Sequence, residues 1–384
     1  MLAPTPYFAD RGCHVRIYEE AKALIAQGCD VHIVTYHIGR DMPGIPTDRI
    51  LHVPWYQRLT AGPSWQKLFL DILLFKKAWT LSRTFRPHLI HAHLHEGAFI
   101  GMLLKPFLCI PLVFDFQGSL TAECRDHGFF RRGSFLDRLF VSVERLINRA
   151  ADAIITSSTA GASQLVQVWN VSSLKVHAVI DGVDADNFHP YPRKEARRRL
   201  GISDEVPLVV YLGVLSTYQG IDILLRTVEI LRAQEKRVRF LIMGYPDDQY
   251  RVKVAELGLD GMVTFTGRID YAEAAVCLSA GDLAISPKLS RTEANGKLFN
   301  YMACALPTLV FDTPVNREIL GDAGVYASYD DADDLARQIV ELMTDAARRA
   351  RLSVMVRDKA VHEHSWTTRG AVIMNIYQRI LSST

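Results

Sequence analysis

Ser286-Pro-Lys-Leu-Ser-Arg-Thr-Glu-Ala-Asn-Gly-Lys-Leu-Phe-Asn-Tyr-Met-Ala-Cys-Ala-Leu-Pro307 is the stretch on which the reading of the fold turns. A strand-like run, Asp282-Leu-Ala-Ile285, feeds a polar loop carrying Lys288 and Arg291, and a helical pattern begins near Ala294 and stops before Pro307. A parallel strand that delivers its carboxyl end to a helix leaves free backbone N–H groups and positive dipole character at the turn, which together suit a phosphate. Gly296 would let such a ligand approach closely. The stretch alone is equally compatible with an ordinary strand-loop-helix unit whose basic residues are solvated.

Outward from this stretch the same pattern recurs. Leu208–Leu212, Phe240–Met243, Val263–Phe265, Leu283–Ile285 and Thr308–Phe311 read as strands of one domain, each followed by a turn and a helix. Val31–Thr35, Leu89–His93, Leu112–Asp115 and Asp152–Thr156 do so in the first half, with helical patterns over Ile17–Gln27, Ser64–Arg83 and Ser134–Ala150. Alternation of this kind predicts an α/β protein built of two doubly wound parallel sheets. A length of 384 residues, too long for a single ordinary core, agrees with two domains. The formal charge of +2 is too balanced to indicate nucleic acid as a partner. No C-x-x-C spacing is present among the six cysteines, so reduced thiols and a cytoplasmic location are expected, with no zinc site.

The best linker is Asp181–Pro190, continuing to Pro192, which sets expected domains at 1–187 and 188–365. Asp184-Ala185-Asp186 has the form of a D-x-D metal signature, yet acidic residues in a Gly/Pro loop are more often turn formers. Residues 366–384 carry an amphipathic helix expected to pack back across the domain boundary. Met1–Pro4 resembles the last part of a buried first strand, which is then either short or lacking its earlier residues. No run of about 20 apolar residues occurs, so no membrane-spanning helix is expected.

Several stretches, taken in order, resemble the group 1 (family 4) retaining glycosyltransferases of the GT-B superfamily. They are Arg11-Gly12-Cys13, Gln27–Val31, His91-Ala-His-Leu-His-Glu96, Gly182-Val-Asp184 with Phe188 and Pro190, Tyr211–Leu215 with Gln219–Asp222, Phe265-Thr-Gly267 and Tyr301–Pro307. The resemblance implies the GT-B fold, two Rossmann-like domains with an interdomain cleft. It also implies a nucleotide-sugar donor on the C-terminal domain and an acceptor on the N-terminal one. The donor diphosphate would lie against Asn295, Gly296 and Leu298, with Gly213 and Gln219 on the turn after Leu208–Leu212 completing that side.

This chain departs from the family at two places. The usual Glu-x7-Glu positions are Thr292 and Asn300; Asn300 can still bond a ribose, and Glu293, one residue displaced, would reach the sugar only from a loop. The usual arginine and lysine after the first strand of this domain are Val214 and Gln219. Lys288, Arg291 and Lys297 must then neutralise the diphosphate. Lys297 is the expected catalytic cation, because a lysine in the first helical turn opposes the helix dipole unless an anion joins it. In the first domain the resemblance gives His95 the place beside the transferring sugar, while His91 and His93 read as alternating on one face of a buried strand. Gly12, His14, Arg16 and Gln117 are the expected acceptor contacts.

The function implied is retaining transfer of a sugar from a nucleotide-diphosphate sugar to a hydroxyl of a glycan or lipid-linked acceptor, in surface polysaccharide or glycolipid synthesis. No cofactor and no metal are required by it. Trp65–Trp79 and Phe129–Phe140 mix aromatic and basic residues, so peripheral contact with an anionic membrane is a further expectation, although a core helix with solvated ends has the same pattern. The alternatives are a catalytically silent nucleotide-sugar-binding relative, or an epimerase or phosphorylase on the same fold.

Overall fold

A computed structural model describes residues 1–9, 12–57, 64–126, 128–291 and 294–382. Arg11, Thr292 and Glu293 lie outside the described residues. The chain divides into two units, Met1–Ile180 with Trp366–Thr384, and Asp181–Ser365.

The first unit holds a parallel sheet of β1 (Leu2–Ala3), β2 (Ile33–Thr35), β3 (Thr47–Arg49), β4 (Ile90–His93), β5 (Leu112–Phe116), β6 (Ala153–Thr156) and β7 (Val176–Ala178), in the order β3-β2-β1-β4-β5-β6-β7. Leu2 pairs with Val34 on one side and Ala92 on the other, so the winding reverses direction between β1 and β4. Such a reversal opens a crevice at the carboxyl ends of the strands, where α/β proteins bind ligands. β4 to β6 are buried on both faces, which explains why their sequences are continuous apolar runs interrupted only by residues that find polar partners inside.

The second unit repeats the plan with β8 (Leu208–Leu212), β9 (Arg239–Met243), β10 (Val263–Gly267), β11 (Leu283–Ser286), β12 (Thr308–Phe311) and β13 (Gly324–Ala327), in the order β10-β9-β8-β11-β12-β13. Its crevice lies between β8 and β11. Three strands had no assignment from sequence: β3, β7 and β13, the first two only three residues long and partly exposed, so that no apolar run announces them.

Asp181–Pro190 belongs to the second unit. Val183 bridges Ser365, and Arg357 donates to the carbonyls of Ala185 and Phe188. The Asp184 carboxylate accepts from the backbone N–H groups of Asp186 and Asn187 and from the Asn187 amide, the bonding of a turn former. Residues 366–382 form a helix of the first unit, with Ile373 and Ile376 buried and Gly370 set against Ala23.

Candidate active site

In the second unit the crevice is built by two turns pressed together. After β8, Gly213 turns the chain at φ +143°, and a single 3-10 turn, Thr217–Gln219, ends at Gly220. A Cβ on Gly220 would lie 1.9 Å from the Pro287 carbonyl oxygen, so only glycine lets the β8 turn meet the β11 turn. Leu289 N–H donates to the Tyr218 carbonyl and fixes the junction.

Lys297 opens the helix Lys297–Ala303 and extends into this junction. Its Nζ donates to Gln219 Oε1 at 2.7 Å and to Tyr211 Oη at 3.0 Å, and lies 4.4 Å from the Tyr211 ring centroid. The Tyr211 hydroxyl in turn donates to the Val214 carbonyl, which leaves its lone pairs to the ammonium. Burial, then the nearby Lys288 charge, push the Lys297 pKa well down. Asn300 follows one turn later on the same helix, half-buried.

In the first unit, β4 and β5 bring charged groups inside. The Asp115 carboxylate receives Arg16 Nε at 3.0 Å, Gln117 Nε2 at 2.6 Å and His93 Nδ1 at 2.9 Å. Burial opposes its ionisation, yet the Arg16 guanidinium and His93 hold it far below the ordinary carboxylate range. His93 ends β4 with its Nε2 buried and unbonded, and its ring stacks on His91 at 4.5 Å. His91 pairs through Nδ1 with the Tyr377 hydroxyl. Glu20, His91 and His93 present ligand atoms within 4.8 Å of one another. The Arg16 guanidinium, however, lies 2.8 Å from the Glu20 carboxylate, so a metal there would face a fixed cation.

Two stretches of this chain match known families: residues 11–182 match the glycosyl transferase 4-like domain, and residues 206–345 match the glycosyl transferases group 1. The chain belongs to the group 1 glycosyltransferases. It is 26% identical to the D-inositol 3-phosphate glycosyltransferase of Thermobispora bispora, over 96% of this chain and 90% of that one. Its fold is that of sucrose-phosphate synthase from Thermosynechococcus elongatus, with a TM-score of 0.84 at 20% identity over 100% of this chain and 98% of that one. Anabaena HepE, solved in complex with UDP and glucose, superposes with a TM-score of 0.79 at 17% identity over 98% of each chain. The architecture is therefore GT-B, and the protein is a glycosyltransferase enzyme.

For this glycosyltransferase the structure brings Gly213, Gln219 and Lys297 together and keeps Asn300 on the same helix. It changes the roles of others. The helix begins at Lys297 rather than near Ala294, because the Asn295 side chain turns inward to donate to Ser286 Oγ and to Asn316 Oδ1, both at 3.1 Å. Asn295 is a buried tie and not a side-chain ligand. The Leu298 N–H is spent on the Asn295 carbonyl, and its side chain is buried. Gly296 is half-buried, with Asp181 Oδ2 3.5 Å from where its Cβ would lie. Lys288 donates to the Ala294 carbonyl and lies over the Tyr218 ring, so it braces the loop. Arg291, exposed, covers the Tyr329 ring.

The acceptor-side expectations shift further. His14 is buried between Thr5 Oγ1 and the Ala9 N–H, and Arg16 is 3% exposed and committed to Asp115, Glu20 and the Val179 carbonyl, so neither offers a surface contact. Gly12 is exposed, with open space where a Cβ would lie, and Gln117 is half-buried beside Asp115. His95 is inside the helix Leu94–Leu108, buried between the Phe114 and Phe116 rings, with Nε2 3.3 Å from Glu144 Oε1. Leu94, at φ +60°, breaks the strand alternation, which is why His95 does not share the environment of His91 and His93. The strand-end imidazole is His93, and Nε2 of His91, His93 and His95 alike is buried without a hydrogen bond. The signal for His93 was present in the sequence: the last residue of a strand, one residue before the turn.

Proposed function

We propose that this glycosyltransferase moves a sugar from a nucleotide-diphosphate donor, bound by the second unit, to an acceptor hydroxyl with retention at the anomeric carbon. The carrying observation is the Lys297 ammonium, held in the β8/β11 crevice by neutral partners. As the glycosidic bond breaks, negative charge grows on the leaving diphosphate, and a fixed ammonium there stabilises the transition state more than the ground state. The departing phosphate then takes the acceptor's proton on the same face of the sugar. The crystallised complexes of Anabaena HepE with UDP and glucose support a nucleotide-sugar donor.

The test is a thermal-shift screen with UDP-, GDP- and ADP-sugars, followed by anomeric analysis of the product by NMR. One donor is expected to raise the melting temperature by mass action. No shift with any donor would remove the donor reading, and an inverted product would remove retention.

A lipid-linked acceptor is favoured by the surface of the first unit. On the helix Trp65–Phe85, Leu70, Leu74 and Ala78 face the core, while Trp65, Leu68, Phe69 and Ile72 form a second apolar stripe in solvent, Ile72 66% exposed. Trp55 packs on Phe69, and Phe135, 80% exposed, starts the helix Phe135–Ala150. Exposed Lys76 and Arg138 lie on the same two helices, and exposed Arg131 and Arg132 precede the second. An apolar stripe flanked by cations suits an anionic bilayer, and among the described residues no helix is long and apolar enough to cross one. In flotation at low salt the protein is expected to rise with phosphatidylglycerol vesicles, and Leu68→Glu with Ile72→Glu to stay at the bottom. Wild-type protein left at the bottom would sink the lipid proposal.

A further inference from the structure

We propose that Tyr211 and Gln219 are positioning residues: together they hold the Lys297 ammonium between neutral acceptors, so that its whole charge is left for the donor diphosphate. The inference rests on the donor reading above and assigns how the site is built.

The resembling family carries cations at the positions of Val214 and Gln219. Here the amide of Gln219 has the opposite polarity. A lysine at 219 would repel Lys297, whereas Gln219 Oε1 accepts from it at 2.7 Å. Tyr211 supplies a second acceptor at 3.0 Å and a ring face at 4.4 Å, and its hydroxyl is itself oriented by the Val214 carbonyl. Two of the three ammonium N–H directions are thereby used.

The space beside the third is kept open by Gly213. A Cβ there would lie 3.1 Å from Lys297 Nζ, and the φ of +143° excludes ordinary side chains. Gly213 is bonded through its N–H to the Met243 carbonyl, so the opening belongs to the sheet and not to a loose loop.

The charge count points the same way. The polar groups facing Lys297 are Tyr211 on β8, Gln219 on the following turn and, at longer range, Lys288 after β11; Tyr301, on the helix of Lys297, donates its hydroxyl to β8 and β11 carbonyls. Among the described residues no carboxylate pairs with Nζ. A half-buried ammonium held only by neutral acceptors is open to an anionic ligand.

Calorimetric titration with UDP, GDP and ADP and with the matching nucleosides distinguishes this arrangement from a structural one. In wild-type protein one diphosphate binds more tightly than its nucleoside. Gln219→Glu, which keeps the acceptor but adds a carboxylate, is expected to erase that advantage, a loss of about tenfold or more, or about 1.4 kcal/mol. Gln219→Met, which deletes the acceptor but leaves the charge free, is expected to stay within about threefold of wild-type affinity and to lower kcat more than it changes KM. A purely structural Gln219 predicts the reverse order, with Glu tolerated and Met harmful, and that result would overturn the proposal. Tyr211→Phe is the second route: unchanged kcat, KM and pH profile would remove Tyr211. If wild-type protein binds no diphosphate better than its nucleoside, the donor reading itself fails; if it does and Gln219→Glu matches it, only this inference falls.

Discussion

Lys297→Ala is expected to lower turnover by about 10²–10³-fold, the loss that follows removal of one preorganised donor to a developing oxyanion, worth about 2.7–4 kcal/mol. The ammonium is already oriented by Gln219 and Tyr211 before any ligand arrives, so its contribution requires no reorganisation as the bond breaks. The same substitution is expected to stabilise the free protein. Its folded pKa is lowered, so between that value and the unfolded lysine value the unfolded chain binds more protons, and wild-type stability rises with pH through this window. Replacing the lysine removes the penalty, most fully below its folded pKa. Lower turnover with a higher melting temperature is the paired result to seek in kinetics and calorimetry; wild-type turnover would exclude Lys297 from the site.

Arg16→Met is expected to cost about 3–5 kcal/mol of stability, because it strands buried carboxylates without their cation. Arg16 is 3% exposed, and both Asp115 and Glu20 are wholly buried beside it. Methionine keeps the apolar stem of the side chain but not the guanidinium, so the loss combines the stranded carboxylates with the space the guanidinium leaves. In wild-type protein Asp115 has a depressed folded pKa, so its contribution is present above the unfolded aspartate value and is lost as pH falls through the folded one. Urea denaturation of the variant would measure the effect. A change below about 1 kcal/mol would mean that water or a His93 proton replaces the guanidinium.

The strand pattern was legible because β4 to β6, β8, β11 and β12 are two-sided buried runs, where hydrophobicity and strand coincide. The junction of the β8 and β11 turns was legible for a related reason: Gln219-Gly220 and Ser286-Pro287 meet where only a glycine fits, and glycine is visible in a sequence. What could not be read were partnerships across long separations. His14 and Arg16 have the composition of surface residues, but Arg16 is claimed by Asp115, 99 residues later. Asn295 is likewise turned inward by Asn316, on a different element. One dihedral angle, at Leu94, takes His95 out of the environment that His91 and His93 share. A non-glycine residue at positive φ has no signature in a single sequence.

The first unit is discontinuous in sequence: its last helix, Trp366–Ser382, places Tyr377 against His91 and Met374 against Cys29. During synthesis the ribosome makes the whole of Asp181–Ser365 between the two parts of that unit, an interval of about 10–40 s at 5–20 residues per second. The nascent chain can therefore complete its second unit while the first still lacks the helix that covers His91. Chaperone demand should fall on the amino-terminal half, and ribosome stalling upstream of Trp366 should release chains whose first sheet is assembled but uncapped.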